Sequence, residues 1–434
     1  MPYSTRPQPP TWTRQHWLIF AAILLLALAM RAVLLNFPHG KFFDEIYYVD
    51  AANDYLNHRP DSNSVHPPLA KIQLAGTMLL FDVSKLYGLH HLEDNIGWRL
   101  WPLLCGVGVV GLTAWLAQSI TQRPRLALLA AALVAVDHLS VAESRITTLD
   151  SIQTFWITLG ICCAAHRLWR IQDDSYLWFS ALSLGVATAC KWNGLFAAAG
   201  VVLALWTVRP HQESHQALPG RLKVLAIFAL CIPLVYALSY LPYVCTVPEK
   251  NFKQVVEAVQ AQHTRMIKFR YDAKQFKHQY LSYFFQWPFG IKPVWFHYKS
   301  EAQSTCTGIV AFGLIPFWWF ATYLLLETLA GAWRRESIDP MGQFVVLTYS
   351  AQWLLWASST TGGFFYYMLT VVPLMAVVVA RQLDRWLDEP QSLPLARTYL
   401  VVLALLTVLY FPFMSGLQVP YKYFQALFFL PIWI

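Results

Sequence analysis

Two adjacent carboxylates, Asp44 and Glu45, follow Phe42 and Phe43 just beyond a long apolar run. A carboxylate held at an apolar rim has a raised pKa and can take a proton from an alcohol. Ionisable residues recur at the ends of other apolar runs: Arg31, His66, Lys71, Arg99, Arg145, Asp150, Lys191 and Lys292. Charge beside a membrane is costly, so each is a candidate site residue. The plainer alternative is a cation that snorkels to the interface and satisfies a helix end. That alternative suits any one of them better than it suits a set converging on one side.

The local settings refine the candidates. His66 lies in His66-Pro67-Pro68-Leu69-Ala70-Lys71, where two prolines fix the backbone. Arg145 and Asp150 open a span, and a structural ion pair between span ends competes with a binding role. Lys191 and Trp192 sit in a connection so short that Lys191 must lie near the membrane surface. An ammonium there suits an anionic lipid phosphate. A basic, aromatic tract carries His263, Arg265, Lys268, Arg270, Lys274, Lys277 and His278, and closes on Gln286, Trp287 and Lys292. Trp and Tyr stack on sugar faces while Lys and Arg meet phosphate. Generic headgroup binding is the competing reading.

Apolar elements must position these groups. Hydrophobic residues make up 56% of the chain and charged residues 13%, about half the charge of a soluble domain. Such a chain needs lipid around it, and the expected class is all-α integral membrane. The run from Trp17 to Phe37 is long enough to span and too long for a signal-peptide core. Further spans are predicted at 98–119, 125–141, 147–168, 176–190, 194–208, 222–244, 306–327, 343–358, 364–380 and 398–416, about eleven in all. Residues 1–16 read as a cytoplasmic tail and 17–416 as the transmembrane body. The aromatic stretch 417–434, broken by Pro420 and Pro431, is interfacial or spanning.

The charge rule orients this bundle. With the N-terminus cytoplasmic, the inner loops hold Arg123, Arg125, Arg167, Arg170, Arg209, Arg221, Lys223, Arg334, Arg335, Arg381, Arg385 and Arg397. The segments 38–97 and 245–305 then face outward. The first contains an amphipathic stretch, Ile46 to Leu56, that fits an interfacial helix. The net charge of +8 is explained by those inner loops, and no basic low-complexity tract supports nucleic-acid binding. Cys245 and Cys306 bracket the second outward segment and would pair if that side is oxidising.

Several motifs, taken together and in order, resemble one family. They are FFDE (42–45), HPPLAK (66–71), GWRLWP (97–102), ESRITTLDSIQTFW (143–156), CKWNGLF (190–196), the tract from QHTRMIKF to SYFFQWPFGIKPVWFHY (262–298), and GGFFYYMLTVVP (362–373). The chain resembles the protein O-mannosyltransferases, membrane glycosyltransferases that use a polyprenyl-phosphate sugar. The resemblance implies a GT-C type fold. It implies transfer of mannose from polyprenyl-phosphate mannose to Ser or Thr of an unfolded or translocating exported protein. It puts Asp44 and Glu45 at the catalytic centre, makes Arg31 and Arg99 important, and places the donor phosphate near Lys191, Gln286 and Lys292. Eukaryotic members carry a soluble domain in the second large loop. Residues 245–305 are too few to hold one, so the chain is similar to the shorter bacterial members. A His of the eukaryotic C-terminal signature stands here as Tyr367.

The expected reaction is a single inverting displacement with Asp44 as base and Glu45 as the positioning residue. A monophosphate leaving group can be neutralised by Lys191, Lys292 and Arg99, so no cofactor or divalent metal is expected. Asp173-Asp174 lies on the inner side. The expected location is the plasma (inner) membrane, with the site on the outer, periplasmic face. Two rivals are a related transferase acting on a glycolipid or cell-wall polymer, and a transporter. A transporter would show mid-span charges and an inverted repeat.

Overall fold

The computed structural model describes residues 11–84, 94–210, 218–246, 251–271, 278–301, 304–334, 336–359 and 361–433. Arg335, Lys274 and Lys277 lie outside them, as do residues 1–10 of the tail. The first helices are α1 (Arg14–Ala32), α2 (Glu45–Leu56), α3 (Leu69–Ser84), α4 (Asp94–Thr121), α5 (Pro124–Val136) and α6 (His138–Glu143). Then come α7 (Leu149–Trp169), α8 (Asp174–Cys190), α9 (Gly194–Thr207), α10 (Leu218–Ser239), α11 (Leu241–Val244) and α12 (Phe252–Tyr271). After strands β1 (Val294–Glu301) and β2 (Thr305–Ala311) follow α13 (Ile315–Trp333), α14 (Pro340–Leu354), α15 (Val372–Asp388), α16 (Leu393–Tyr410) and α17 (Pro412–Ser415). The chain closes with β3 (Val419–Pro420) and α18 (Tyr421–Leu427).

Ala and Leu dominate the apolar helices, and both are strong helix formers. Their starts are punctuated by chemistry that satisfies free N–H groups. Proline opens α5, α13, α14, α15 and α16, where its missing N–H costs nothing. The Asp137, Asp173 and Asp339 carboxylates cap α6, α8 and α14, each cap worth about 1 kcal/mol. α7 lies at the centre, enclosed by α4 and α8. In the apolar windows of α1 and α16 only 17% and 22% of residues are buried, so these helices form the rim that lipid must cover.

Among the described residues, five segments are long and apolar enough to cross a membrane: Arg14–Ala32, Asn95–Thr121, Gly220–Val244, Phe365–Asp388 and Leu393–Tyr410. The other segments expected to span also contain helices, but these are shorter, more polar or more aromatic. The expected span 125–141 is broken at Asp137 into α5 and α6. The span 364–380 begins as a 3-10 turn over Phe365–Val371. The span expected at 306–327 begins as β2, and the helix starts only at Ile315.

The all-α expectation therefore needs one correction. β1 and β2 pair antiparallel, with Val294 opposite Ala311 and Glu301 opposite Thr305, and β3 adds to the far side of β2. Residues 417–433 lie against this sheet, to which they add β3, and the helix among them, α18, has seven residues, too few to span. Phe424 and Phe428 pack with Trp295, Tyr410 and Phe413. Cys306 is buried in the same cluster while Cys245 is exposed, and both are free thiols. The stretch Ile46–Leu56 is not a lone interfacial helix either: Tyr48, Val49, Ala52 and Tyr55 are buried with Ala70, Leu74 and Met78 of α3.

Basic residues gather at one end of the bundle. Arg123 and Arg125 pair there with Asp384 and Asp388, at 2.5–2.8 Å. The opposite end carries α2, α3, α12 and the sheet, and it is there that the sequence motifs meet.

Candidate active site

Asp44 sits at the first position before α2 with helical backbone angles, and its carboxylate makes no cap bond. The preceding residue, Phe43, has φ +50°, a left-handed conformation costly for a bulky side chain. Packing holds it there: its ring lies 4.8 Å from Phe296 and 6.5 Å from Tyr366. Tyr48, one turn on, hydrogen-bonds the Asp44 carboxylate. Asp44 is half-buried. Burial pushes its pKa up to about 7, against the pull of Lys191 and with the help of Asp150.

Glu45 points the other way. It is fully buried and forms a two-pronged pair with Arg99, Nε to Oε1 and Nη2 to Oε2, both 2.8 Å. Thr147 N donates to Oε1 at 3.0 Å. Arg99 also donates to the carbonyls of Leu35, Pro38 and Gly40 at 2.9 Å. The pair therefore pins the whole loop that carries Asp44 onto α4 and α7. All three guanidinium nitrogens of Arg99 are engaged in this way, and the side chain is fully buried.

Asp150 and Lys191 form the second half of the site. Lys191 Nζ donates to both Asp150 oxygens at 2.9 Å. Gln153 Nε2 holds the Lys191 carbonyl at 2.6 Å. The turn is tight because Gly194 presses on α8: a Cβ there would meet Thr188 N at 2.5 Å and Ala187 C at 2.7 Å. Lys191 Nζ stands 4.4 Å over the Tyr367 ring. Tyr367 stacks on Trp356 at 4.7 Å, and Arg270 lies 4.7 Å over Trp356. Two cations thus flank one aromatic pair. Trp287, buried, packs edge-on against both rings at 5.7–5.8 Å.

His66 approaches from the side of α3. Burial and the cations Lys191, Lys71 and Arg270 hold its pKa well below the usual histidine value, so it is neutral. Lys71 is fully buried; it pairs with Asp61 and donates to the carbonyls of Asn63, at 2.5 Å, and His66, at 3.2 Å. Its role is to shape the His66 turn.

The remaining sequence candidates sit apart from this cluster. Arg31 donates to the carbonyls of Ala27, Val134 and Ala135 and to Ser140 Oγ. Arg145 donates to the carbonyls of Met30, Arg31, Leu34 and Ser415 at 2.8–3.3 Å. It thereby satisfies the open C-terminal carbonyls of α1 and makes no pair with Asp150. Gln286 Oε1 accepts from Tyr283 N, and Lys292 Nζ donates to Leu281 O. Trp192 Nε1 donates to Tyr236 OH, which bonds His263 Nε2 at 3.0 Å. Tyr48, Glu143, Trp356 and Tyr366 also stand at the site, beyond the charged residues that mark it in the sequence. Glu143 is fully buried and accepts from Thr148 Oγ1 at 2.6 Å. Its place beside Arg145 in ESRITTLD was the available signal.

The same arrangement of helices occurs in solved structures of membrane glycosyltransferases. The S. cerevisiae protein O-mannosyltransferase Pmt1-Pmt2 complex bound to the sugar donor superposes with TM-score 0.78 at 13% identity, covering 98% of this chain and 93% of that one. ArnT from Cupriavidus metallidurans bound to undecaprenyl phosphate gives 0.59 at 14% identity, over 91% of this chain and 64% of that one. The fold is that of a GT-C membrane glycosyltransferase. A family model described as dolichyl-phosphate-mannose-protein mannosyltransferase matches residues 21–242, and the chain belongs to that family. A polyprenol-phosphate-mannose–protein mannosyltransferase of Mycolicibacterium smegmatis is 24% identical over 96% of this chain and 93% of its own length. The dolichyl-phosphate-mannose–protein mannosyltransferase 1 of Candida albicans is 27% identical over 52% of this chain.

Proposed function

We propose that this protein transfers mannose from polyprenyl-phosphate mannose to Ser or Thr hydroxyls of exported proteins, at the outer face of the plasma membrane. The observation that carries the reading is the half-buried Asp44 carboxylate, uncommitted to its helix and set among Tyr48, Asp150 and Lys191. The acceptor O–H gives its proton to Asp44. The oxygen bonds the anomeric carbon, and the bond to the phosphate oxygen breaks with its electron pair on the phosphate. Attack from the face opposite the leaving group inverts the anomeric centre. Lys191 and Arg270, on the two sides of the Tyr367–Trp356 stack, are the cations assigned to the leaving phosphate. Glu45 and Arg99 are positioning residues. The basic ends of α5, α7 and α15, with Arg123, Arg125, Arg167, Arg170, Arg381 and Arg385, support a cytoplasmic placement for the opposite end of the bundle.

The direct test gives purified protein in lipid a polyprenyl-phosphate mannose donor and either a Ser/Thr peptide or a glycolipid acceptor, with and without EDTA. Mannose is expected on the peptide, unaffected by EDTA, because two side-chain cations meet a monophosphate. Transfer to the glycolipid alone would overturn the acceptor assignment. Complete loss in EDTA, restored by a divalent ion, would overturn the metal-free mechanism.

Asp44 holds its proton to higher pH than an ordinary carboxylate, since its pKa is raised to about 7. A base works only when ionised, so activity is lost as pH falls through that value. The expected kcat/KM profile rises with pH to a plateau above an apparent pKa near 7, read from initial rates at subsaturating substrate. A flat profile down to about pH 5 would remove Asp44 as the base.

A further inference from the structure

Among the described residues β1 is an edge strand: the sheet order is β1-β2-β3, with β2 on one side of β1 and no strand on the other. Among the described residues, 294–300 make no backbone hydrogen bond outside the β1–β2 ladder. A strand edge of this kind presents alternate N–H and C=O groups that seek a partner. Its inner half is buried beside the site, where Phe296 packs on Phe43 at 4.8 Å and His297 lies 5.7 Å from Phe42. Its outer half opens to solvent, with Tyr298 43% exposed and the Lys299 and Glu301 side chains 67% and 57% exposed. His297 Nε2 is buried without a hydrogen-bond partner among the described residues.

We propose that the free edge of β1 receives the acceptor polypeptide as an added strand, which delivers its Ser or Thr past Phe43 to Asp44. The proposal rests on the protein-acceptor reading above. Several features favour a polypeptide over other occupants. A strand edge is completed only by an extended backbone with its own alternating donors and acceptors, which sugars and lipid tails lack. The strand runs from solvent-exposed Tyr298 to Phe296, whose ring packs on Phe43, with one register irregularity between Trp295 and His297 that bends the edge beside the site. From Tyr298 to Phe296 is about 7 Å of strand, so a bound segment of a few residues reaches from open solvent to the site. Main-chain pairing is also indifferent to side chains, so acceptors of varied sequence would be held alike. The unsatisfied His297 nitrogen offers one further polar contact to the incoming strand.

A walk of single backbone N-methyl groups along a Ser/Thr acceptor peptide tests this, using the full-length protein in lipid and measuring KM and kcat separately. Methylation at alternate positions flanking the acceptor residue is expected to raise KM by roughly tenfold each, with kcat little changed, because each removes one ladder hydrogen bond. The intervening positions should tolerate it. Tolerance at every position, or equal harm at every position, would overturn strand addition. Failure of the unmethylated peptide to accept mannose would instead overturn the function reading beneath it. As an independent readout, Lys299→Cys in a Cys245→Ser background is expected to form a disulfide with an acceptor peptide whose cysteine carries a thiopyridyl mixed disulfide, the introduced thiolate displacing thiopyridone by thiol–disulfide exchange. Cross-linking only to a second copy of the chain would show that the edge pairs between copies, and would overturn the proposal.

Discussion

Asp44→Asn is expected to lower mannose transfer to a Ser/Thr peptide by about 10³-fold, within the range for a lost general base. The carboxamide keeps the size and the contact with Tyr48 but cannot take a proton. Donor binding should survive, because Lys191 keeps both of its bonds to Asp150 at 2.9 Å and loses only a partial counter-charge. The measurement is therefore paired: transfer rate, and affinity for polyprenyl-phosphate mannose by competition. Near-normal transfer would exclude Asp44 as the base. Near-normal transfer together with failure of Asp150→Asn would move the role to Asp150.

The second large effect falls on stability. Arg99 and Glu45 are both fully buried and joined by two bonds of 2.8 Å. Arg99→Met leaves a buried carboxylate without its counter-ion and frees the carbonyls of Leu35, Pro38 and Gly40. Breaking such a pair from one side costs about 3–5 kcal/mol. Thermal unfolding in lipid or detergent should shift sharply downward, with transfer lost. The double variant Arg99→Met with Glu45→Met removes both charges, and coupled partners are non-additive. It should regain much of the lost stability while staying inactive, since the loop before Asp44 is still untied. Recovery of activity in the double variant would show that the pair stabilises the fold without placing Asp44. Arg99→Lys is not a rescue, because one ammonium cannot replace a fork that reaches Glu45 and the three carbonyls.

The sequence carried most of the helices and the composition of the site, because apolar run length and charge placement are read without knowing any contact. Asp44, Glu45, Asp150 and Lys191 were all visible as charges beside apolar runs, and the structure packs them at one end. Their partnerships were not visible. Arg145 and Asp150 look like a pair five residues apart, yet Arg145 serves the carbonyls of α1 while Asp150 serves Lys191. A buried guanidinium that meets four carbonyl oxygens and one that meets a phosphate have the same sequence signature. The sheet was hidden for a different reason. Thr305 to Ala311 is short and apolar, and it runs straight into the aromatic start of α13, so one continuous span was the simpler reading. Tyr366, Tyr367 and Trp356 carry no distinguishing mark in the sequence, because aromatic residues are expected at any membrane interface. Only their mutual stacking, with cations on either side, sets them apart.

The bonds of Arg145 also fix an order of events in the making of the protein. Its Nη2 reaches the carbonyl of Ser415, 270 residues further along, while its Nη1 holds the end of α1. That bond cannot form until the ribosome has translated past Ser415. The early helices can enter the bilayer and pack with the first motifs already in place. The platform beneath the acidic loop is tied off only when the final stretch of chain arrives. A nascent chain caught partway through synthesis thus holds Asp44 on an unfinished support, and the assembly of the catalytic end is set by the clock of translation as much as by the membrane.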